Sequence, residues 1–208
     1  VKPVFTVNFS DGSSVRCTED HLWVVRRGKV RKNSPWETLS LKQIIKTLRG
    51  RSNRKTFDVP LPEAVVFAAK APTTIPAYTM GVLLGDGGLT RGNIEITSGD
   101  RDREQMLRLL QADNFAFPWT ANERINKDRC GGIHLSVNRV SPHPLKKALG
   151  ELGLLGANSH TKFIPESFKT ASVDDRKALL QGLMDSDGTI GATGSCSFSS
   201  SSKILFDD

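Results

Sequence analysis

Two aspartates, Asp86 and Asp187, offer the clearest chemistry in this chain. They sit in two similar apolar stretches, Met80-Gly81-Val82-Leu83-Leu84-Gly85-Asp86-Gly87 and Gln181-Gly182-Leu183-Met184-Asp185-Ser186-Asp187-Gly188, which recur 101 residues apart. Read as helices, both stretches carry small residues four apart: Gly81 and Gly85 in one, Gly182 and Ser186 in the other. Small residues there let two backbones come closer than the axial spacing of about 8–10 Å that larger side chains impose. Packed side by side and parallel, the helices bring both carboxylates to one end. There the dipoles are negative and the two charges repel strongly. The glycine after each aspartate permits the left-handed turn that ends a helix. Stability gives no reason to build such a pair, but divalent-cation binding does. Mg2+ neutralises the charge, prefers carboxylate, water and phosphate oxygens, and can activate water for phosphodiester hydrolysis. One Asp-Gly after an apolar helix is ordinarily just a turn; its repetition points to a site and to two pseudo-symmetric halves.

The elements that must position these residues fall into two groups. Up to about residue 70 the pattern is mostly β. Phe5 to Phe9 alternates, Ser10 to Ser13 turns, Val15 to Thr18 resumes, and Leu22 to Val25 is a further strand. Leu41, Ile44, Ile45 and Leu48 recur at helical spacing behind Ser40 as N-cap. Phe57 to Pro62 is extended, and Ala71 to Pro76 is the best linker. Beyond it, Ala77 to Gly85 is apolar on nearly every side and predicts a buried helix. A strand over Asn93 to Thr97 follows. A helix over Arg103 to Ala112 then turns Met106, Leu107, Leu109 and Leu110 inward. Phe115 to Ile125 and Gly132 to Val137 read as strands, and Pro142 to Leu152 as a helix with Pro142 near its first turn. Ser172 to Asp175 resembles a capping box opening a helix to about Met184, with strand from Gly188 onward.

The net charge of +7 suggests an anionic partner. Its distribution is uneven: residues 1–70 hold 14 Lys/Arg against 6 Asp/Glu, and residues 71–208 hold 15 against 16. The basic excess therefore lies outside the stretch bearing the paired aspartates, and is equally a solvated face or a DNA-backbone contact. Cys17, Cys130 and Cys196 are odd in number and far apart, which favours neither a zinc site nor a disulfide framework and suits an intracellular, cytoplasmic setting. No run approaches the roughly eighteen apolar residues of a membrane span.

Leu180 to Gly188 resembles the signature of LAGLIDADG homing endonucleases, and Thr79 to Gly87 resembles its partner copy. The resemblance implies that Asp86 and Asp187 are metal-binding catalytic residues, with Mg2+ or a similar divalent cation as cofactor. Lys162-Phe163-Ile164-Pro165 resembles the segment before the second motif in intein-borne members. Its implied role places Lys162 near the active centre, stabilising charge or orienting water. The family also implies a saddle of antiparallel strands in the major groove of a double-stranded DNA target. Base edges give specificity there and phosphates most of the affinity. On or between the candidate strands, Arg124, Lys127, Arg129, His134 and Arg139 are the candidate DNA contacts.

Upstream, Gly12 to Trp23 resembles the T-x-x-H block of intein (Hint) splicing domains. By that resemblance His21 polarises and protonates the scissile junction peptide and Thr18 helps to hold it. A neutral imidazole suits assistance of an acyl shift near neutral pH. The expected fold is α+β: a mostly β Hint segment over residues 1–72, linker included, followed by an α/β LAGLIDADG domain over residues 73–208 whose second half is cut short. Val1 is not a nucleophile and no terminal His-Asn is present, so the chain reads as an internal fragment whose host-protein exteins lie in cis. The expected function is metal-dependent, site-specific DNA cleavage coupled to protein splicing. Its rivals are a LAGLIDADG-like module that binds DNA without cutting it, and a decayed intein remnant.

Overall fold

The computed structural model describes residues 2–27, 34–48, 57–67, 75–89, 94–99, 102–113, 119–125, 131–137 and 143–208; over 119–125 and 131–137 it describes backbone, with Ile133 the one side chain placed there. The fold is mixed α and β and divides into two compact units, Val1–Glu63 and Ala64–Asp208. The boundary expected from sequence is 72/73, and residues 71–74 of the expected linker lie outside the described residues. Among the described residues no helix is long and apolar enough to cross a membrane.

In the first unit, β1 (Val4–Asn8) and β2 (Ser14–Thr18) form a hairpin that pairs Val4 with Thr18 and Asn8 with Ser14. Gly12 supplies the positive φ of the turn, and the Asp11 carboxylate accepts from Ser13 N–H at 2.9 Å. β3 (Leu22–Arg27) pairs on one side with β4 (Glu37–Ser40), and on the other with β5 (Phe57–Asp58), which follows helix α1 (Leu41–Leu48). β4 carries one apolar residue, so no alternation announces it; its pairing with β3 is tertiary. α1 starts as its sequence predicts. Ser40 Oγ accepts from Gln43 N–H while Gln43 Oε1 accepts from Ser40 N–H, satisfying two otherwise orphaned donors. Among the described residues of this unit, Cys17, Val25, Leu41 and Ile44 form the buried apolar set.

The second unit is built around two helices. α2 (Ala77–Gly85) leads through β6 (Gly87–Gly88) and β7 (Glu95–Thr97) to α3 (Arg103–Ala112), then to β8 (Trp119–Ile125), β9 (Gly131–Val137) and α4 (Pro144–Glu151). After the short α5 (Glu166–Lys169), α6 (Val173–Asp187) leads through β10 (Gly188–Ile190) and β11 (Cys196–Phe198) to α7 (Lys203–Asp207). The repeat therefore extends beyond the two motifs. Helix, hairpin and helix recur in order, and β11 lies 101 residues after β7.

β6, β7, β9 and β8 form one antiparallel sheet in that order. Ile96 faces Ile133 across it, and both are fully buried. α2 is buried along its whole length apart from Gly85, which is why its apolar residues show no sidedness. Its polar Thr79 is satisfied: backbone N–H and Oγ1 both donate to Asp113, at 3.0 and 2.7 Å.

Several local expectations change. The proline in the first turn of α4 is Pro144, behind His143 as N-cap, and Pro142 lies outside the described residues. α6 opens on Ser172 as expected, its Oγ accepting from Asp175 N–H at 3.1 Å, but it continues three residues past Met184 to Asp187. On α3, Leu109 is 38% exposed while Met106 and Leu110 are buried, so the inward stripe is narrower than its apolar residues suggest. The glycines after the aspartates also have a different purpose. Gly188 is extended, at φ −89°, and Gly87 is not among the positive-φ glycines. A Cβ on either would lie 2.3 Å from a backbone oxygen of the preceding helix, Leu83 O or Met184 O. The chain needs the missing side chain rather than the left-handed turn.

Candidate functional site

The contact between α2 and α6 is backbone on backbone. A Cβ on Gly81 would meet Leu179 O at 2.1 Å, and a Cβ on Gly182 would meet Tyr78 O at 2.2 Å. Leu179 and Tyr78 each precede the opposing glycine by three residues, so the two contacts mirror one another about a pseudo-twofold axis. One turn further, a Cβ on Gly85 would collide with Ser186 Oγ at 2.0 Å and lie 3.4 Å from Asp187 Oδ2. Tyr78 Oη donates to Asp185 at 3.0 Å, tying the two helices together beside the seam. The helices run parallel and closely packed, as their small residues require.

This packing delivers Asp86, the residue capping α2, and Asp187, the last of α6, to one cavity of about 450 Å3. Lys162 enters the same cavity from the loop before α5. The residue is 5% exposed, and its ammonium donates to Gly85 O, the last carbonyl of α2, at 2.6 Å. Cations favour that end of a helix, where carbonyls lack partners. Burial, and then the negative charge of Asp187, pushes the Asp86 carboxyl above the usual carboxylate range, with Lys162 opposing. Burial likewise pulls the Lys162 ammonium below its ordinary value, while the two aspartates hold it up. The site thus holds two carboxylates and one ammonium in partly excluded solvent.

Among the described residues no group of three or more His, Cys, Asp and Glu could hold a metal by itself. Two carboxylate side chains opening on a cavity nevertheless match Mg2+, which takes one or two carboxylates and completes its shell with water and phosphate oxygens. Burial first, and then the charge of Asp187, raises Asp86, and a cation there would relieve both.

The cavity has a second wall that the motifs do not announce: Ser159 and the run Ser199-Ser200-Ser201 after β11. Serine runs ordinarily mark loops; the only signal here is the place of this one, a hairpin after the second motif.

The remaining candidates are distributed differently. On the backbone, Arg124 lies on β8 and His134 on β9, where Asn122 pairs with His134 and Arg124 with Gly132. By that register positions 124 and 134 share the face opposite buried Ile96 and Ile133. Their side chains, like Lys127, Arg129 and Arg139 altogether, lie outside the described residues. Thr18 ends β2 and His21 precedes β3 in the first unit, where His21 N–H donates to Thr18 O at 3.2 Å. The His21 ring stands edge-on to Trp23, centroids 5.2 Å apart.

No protein-family model matches the chain. It is similar to the replicative DNA helicase DnaB of Mycobacterium intracellulare, 25% identical over 220 residues that cover 98% of this chain and 32% of that protein. It is similar also to the replicative DNA helicase DnaB of Nostoc sp., 27% identical over 200 residues covering 93% of this chain and 21% of that one. The chain thus spans a third or less of the length of these relatives, each of which is described as an enzyme.

Proposed function

We propose that the chain is part of an intein: a mostly β splicing segment followed by a LAGLIDADG-type endonuclease that hydrolyses phosphodiester bonds of double-stranded DNA. The observation that carries this reading is the mirrored backbone contact of α2 and α6, which sends Asp86 and Asp187 into one cavity beside the Lys162 ammonium. Asp86 and Asp187 would hold Mg2+. Bound there, the ion would lower the pKa of a water molecule and neutralise charge on the leaving oxygen. Lys162 would balance the carboxylates and steady the negative charge of the phosphate. The sheet face bearing positions 124 and 134 would lie along the groove, with strand side chains reading base edges. In the first unit, His21 and Thr18 would act on the junction peptide joining the chain to its host.

The similarity to two DnaB proteins is compatible with this. A match to nearly all of this chain but to a third or a fifth of theirs is what an element carried inside a longer host would give. The sequence contains no G-x-x-x-x-G-K-[ST] phosphate loop, so these residues do not supply that means of holding a nucleotide.

The test is cleavage of a plasmid bearing the host coding sequence without the insert, with Mg2+ or EDTA, by the wild type and by Asp86→Asn. The reading expects Mg2+-dependent linearisation by the wild type, and DNA binding without cutting by the variant. Binding without cutting by both proteins would replace the nuclease with a DNA-binding module. Neither binding nor cutting would point to a decayed remnant.

A further inference from the structure

We propose that Ser202 is a positioning residue for Lys162, so that the helix after the second hairpin sets where the site's ammonium sits. The proposal rests on the nuclease reading for its purpose, but its geometry is independent of that reading. Ser202 is fully buried, and its hydroxyl donates to the backbone carbonyl of Lys162 at 2.6 Å while accepting from Leu205 N–H at 3.3 Å as the N-cap of α7. One side chain therefore both starts α7 and pins the lysine backbone. The other end of α7 grips the same segment: the Asp208 carboxylate accepts from Ile164 N–H at 2.8 Å and from the Lys169 ammonium. The Lys162 N–H is fixed in turn by Asn158 O at 3.2 Å, and His160 Nδ1 lies 3.3 Å from Ser201 O. Lys162-Phe163-Ile164 is thus held at a carbonyl by Ser202 and at an amide by Asp208, with the ammonium left to span the cavity to Gly85 O.

The physical consequence is specific. An ammonium on a flexible four-carbon stem finds one position only if its backbone is fixed. Removing the Ser202 hydroxyl leaves the Lys162 carbonyl buried without that donor. The segment then shifts to find another partner and carries the ammonium with it. A displacement of this kind is felt in the chemical step more than in DNA affinity, because the groups that would contact the DNA backbone and bases lie elsewhere.

The test compares wild type, Ser202→Ala and Ser202→Cys in the whole chain. The cysteine roughly keeps the volume and offers a weaker donor, so it serves if the alanine variant does not fold. The first measurement is the rate of reductive methylation of Lys162, read by mass spectrometry against exposed Lys177 in the same sample. Labelling should quicken several-fold in Ser202→Ala and to an intermediate degree in Ser202→Cys. The second is single-turnover DNA cleavage, which should slow by about tenfold or more in Ser202→Ala while the Kd for DNA stays within about twofold. Wild-type labelling rates in both variants would overturn the proposal, as would loss of DNA affinity in step with cleavage. If the wild type does not cleave DNA, the nuclease reading fails, and the labelling comparison decides the positioning role alone.

Discussion

Asp86 sits where a carboxylate is least comfortable: partly buried, at the C-terminal end of a helix and facing a second carboxylate. Its raised proton affinity has a signed consequence for stability. Between the ordinary carboxylate value and the raised value of Asp86, the folded chain keeps a proton that the unfolded chain has released. Without a divalent cation, Asp86 therefore costs stability at neutral pH, and that cost shrinks as pH falls through the window. Asp86→Asn should accordingly be more stable than wild type in EDTA near about pH 7, with the gap closing toward about pH 4. Urea unfolding midpoints at several pH values measure this directly; a gap independent of pH would mean that charge is not the cause. Added Mg2+ should reverse the order by raising the melting temperature of the wild type, since a ligand bound only to the folded state stabilises it, and leave the variant nearly unmoved. An equal rise in both proteins would place the ion somewhere other than between Asp86 and Asp187.

At the scale of elements, the seam between α2 and α6 sets where the two carboxylates lie. Gly81 and Gly182 interlock so tightly that neither backbone can move aside for a methyl group without parting the helices. Gly81→Ala or Gly182→Ala should destabilise the chain by about 3 kcal/mol, the upper part of the usual overpacking range. Gly99→Ala, whose Cβ would meet nothing within 4 Å, should stay within about 0.5 kcal/mol of wild type. Denaturant midpoints separate the two, and a tolerated Gly182→Ala would show that the helices are not held as closely as described. This seam was legible in the sequence because small residues recurred at helical spacing in two similar stretches. That Asp86 and Asp187 reach one cavity follows from the same repeat, whereas Lys162 beside them is implied only by the resemblance of Lys162-Phe163-Ile164-Pro165 to the segment before the second motif in intein-borne LAGLIDADG members. The serine wall leaves only its place after the second hairpin as a signal, because serine runs ordinarily mark loops. The role of Ser202 is illegible because its hydroxyl acts on a carbonyl forty residues away in sequence. β4 was not legible either: it is a strand because β3 pairs with it rather than because Glu37 to Ser40 alternates. The sequence suggests backbone freedom at the glycines after the aspartates, yet what excludes a side chain there is a carbonyl of the preceding helix turn.

Over the whole molecule, apolar burial is distributed very unequally between the two units. Among the described residues, the buried apolar set of Val1–Glu63 is Cys17, Val25, Leu41 and Ile44, while Val4, Val15, Leu22, Val24, Trp36 and Leu61 stay exposed. The unit Ala64–Asp208 holds the continuous core, from Ile75 and the α2 side chains to Phe168 and Leu205. A chain of about 60 residues is marginal even with a normal core, because too little of its surface is removed from water to offset the entropy of ordering it. The two units should therefore behave differently when produced separately. Residues 64–208 should unfold in one cooperative thermal transition and retain the Mg2+ response of Asp86 and Asp187. Residues 1–63 should show weak, gradual melting with no sharp transition. Circular dichroism and calorimetry on the two pieces decide the matter. A cooperative transition in 1–63 would mean that its exposed valines, leucines and Trp36 pack better than their accessibility indicates. Gradual melting of 64–208 would mean that its core needs residues outside that span. If the expectation holds, the piece carrying the paired aspartates can be assayed for Mg2+ binding and DNA cleavage free of the 14 Lys/Arg in residues 1–70. A flatter salt dependence of DNA affinity in that piece than in the whole chain would then measure how many of those basic residues touch phosphate, since each contact steepens the dependence.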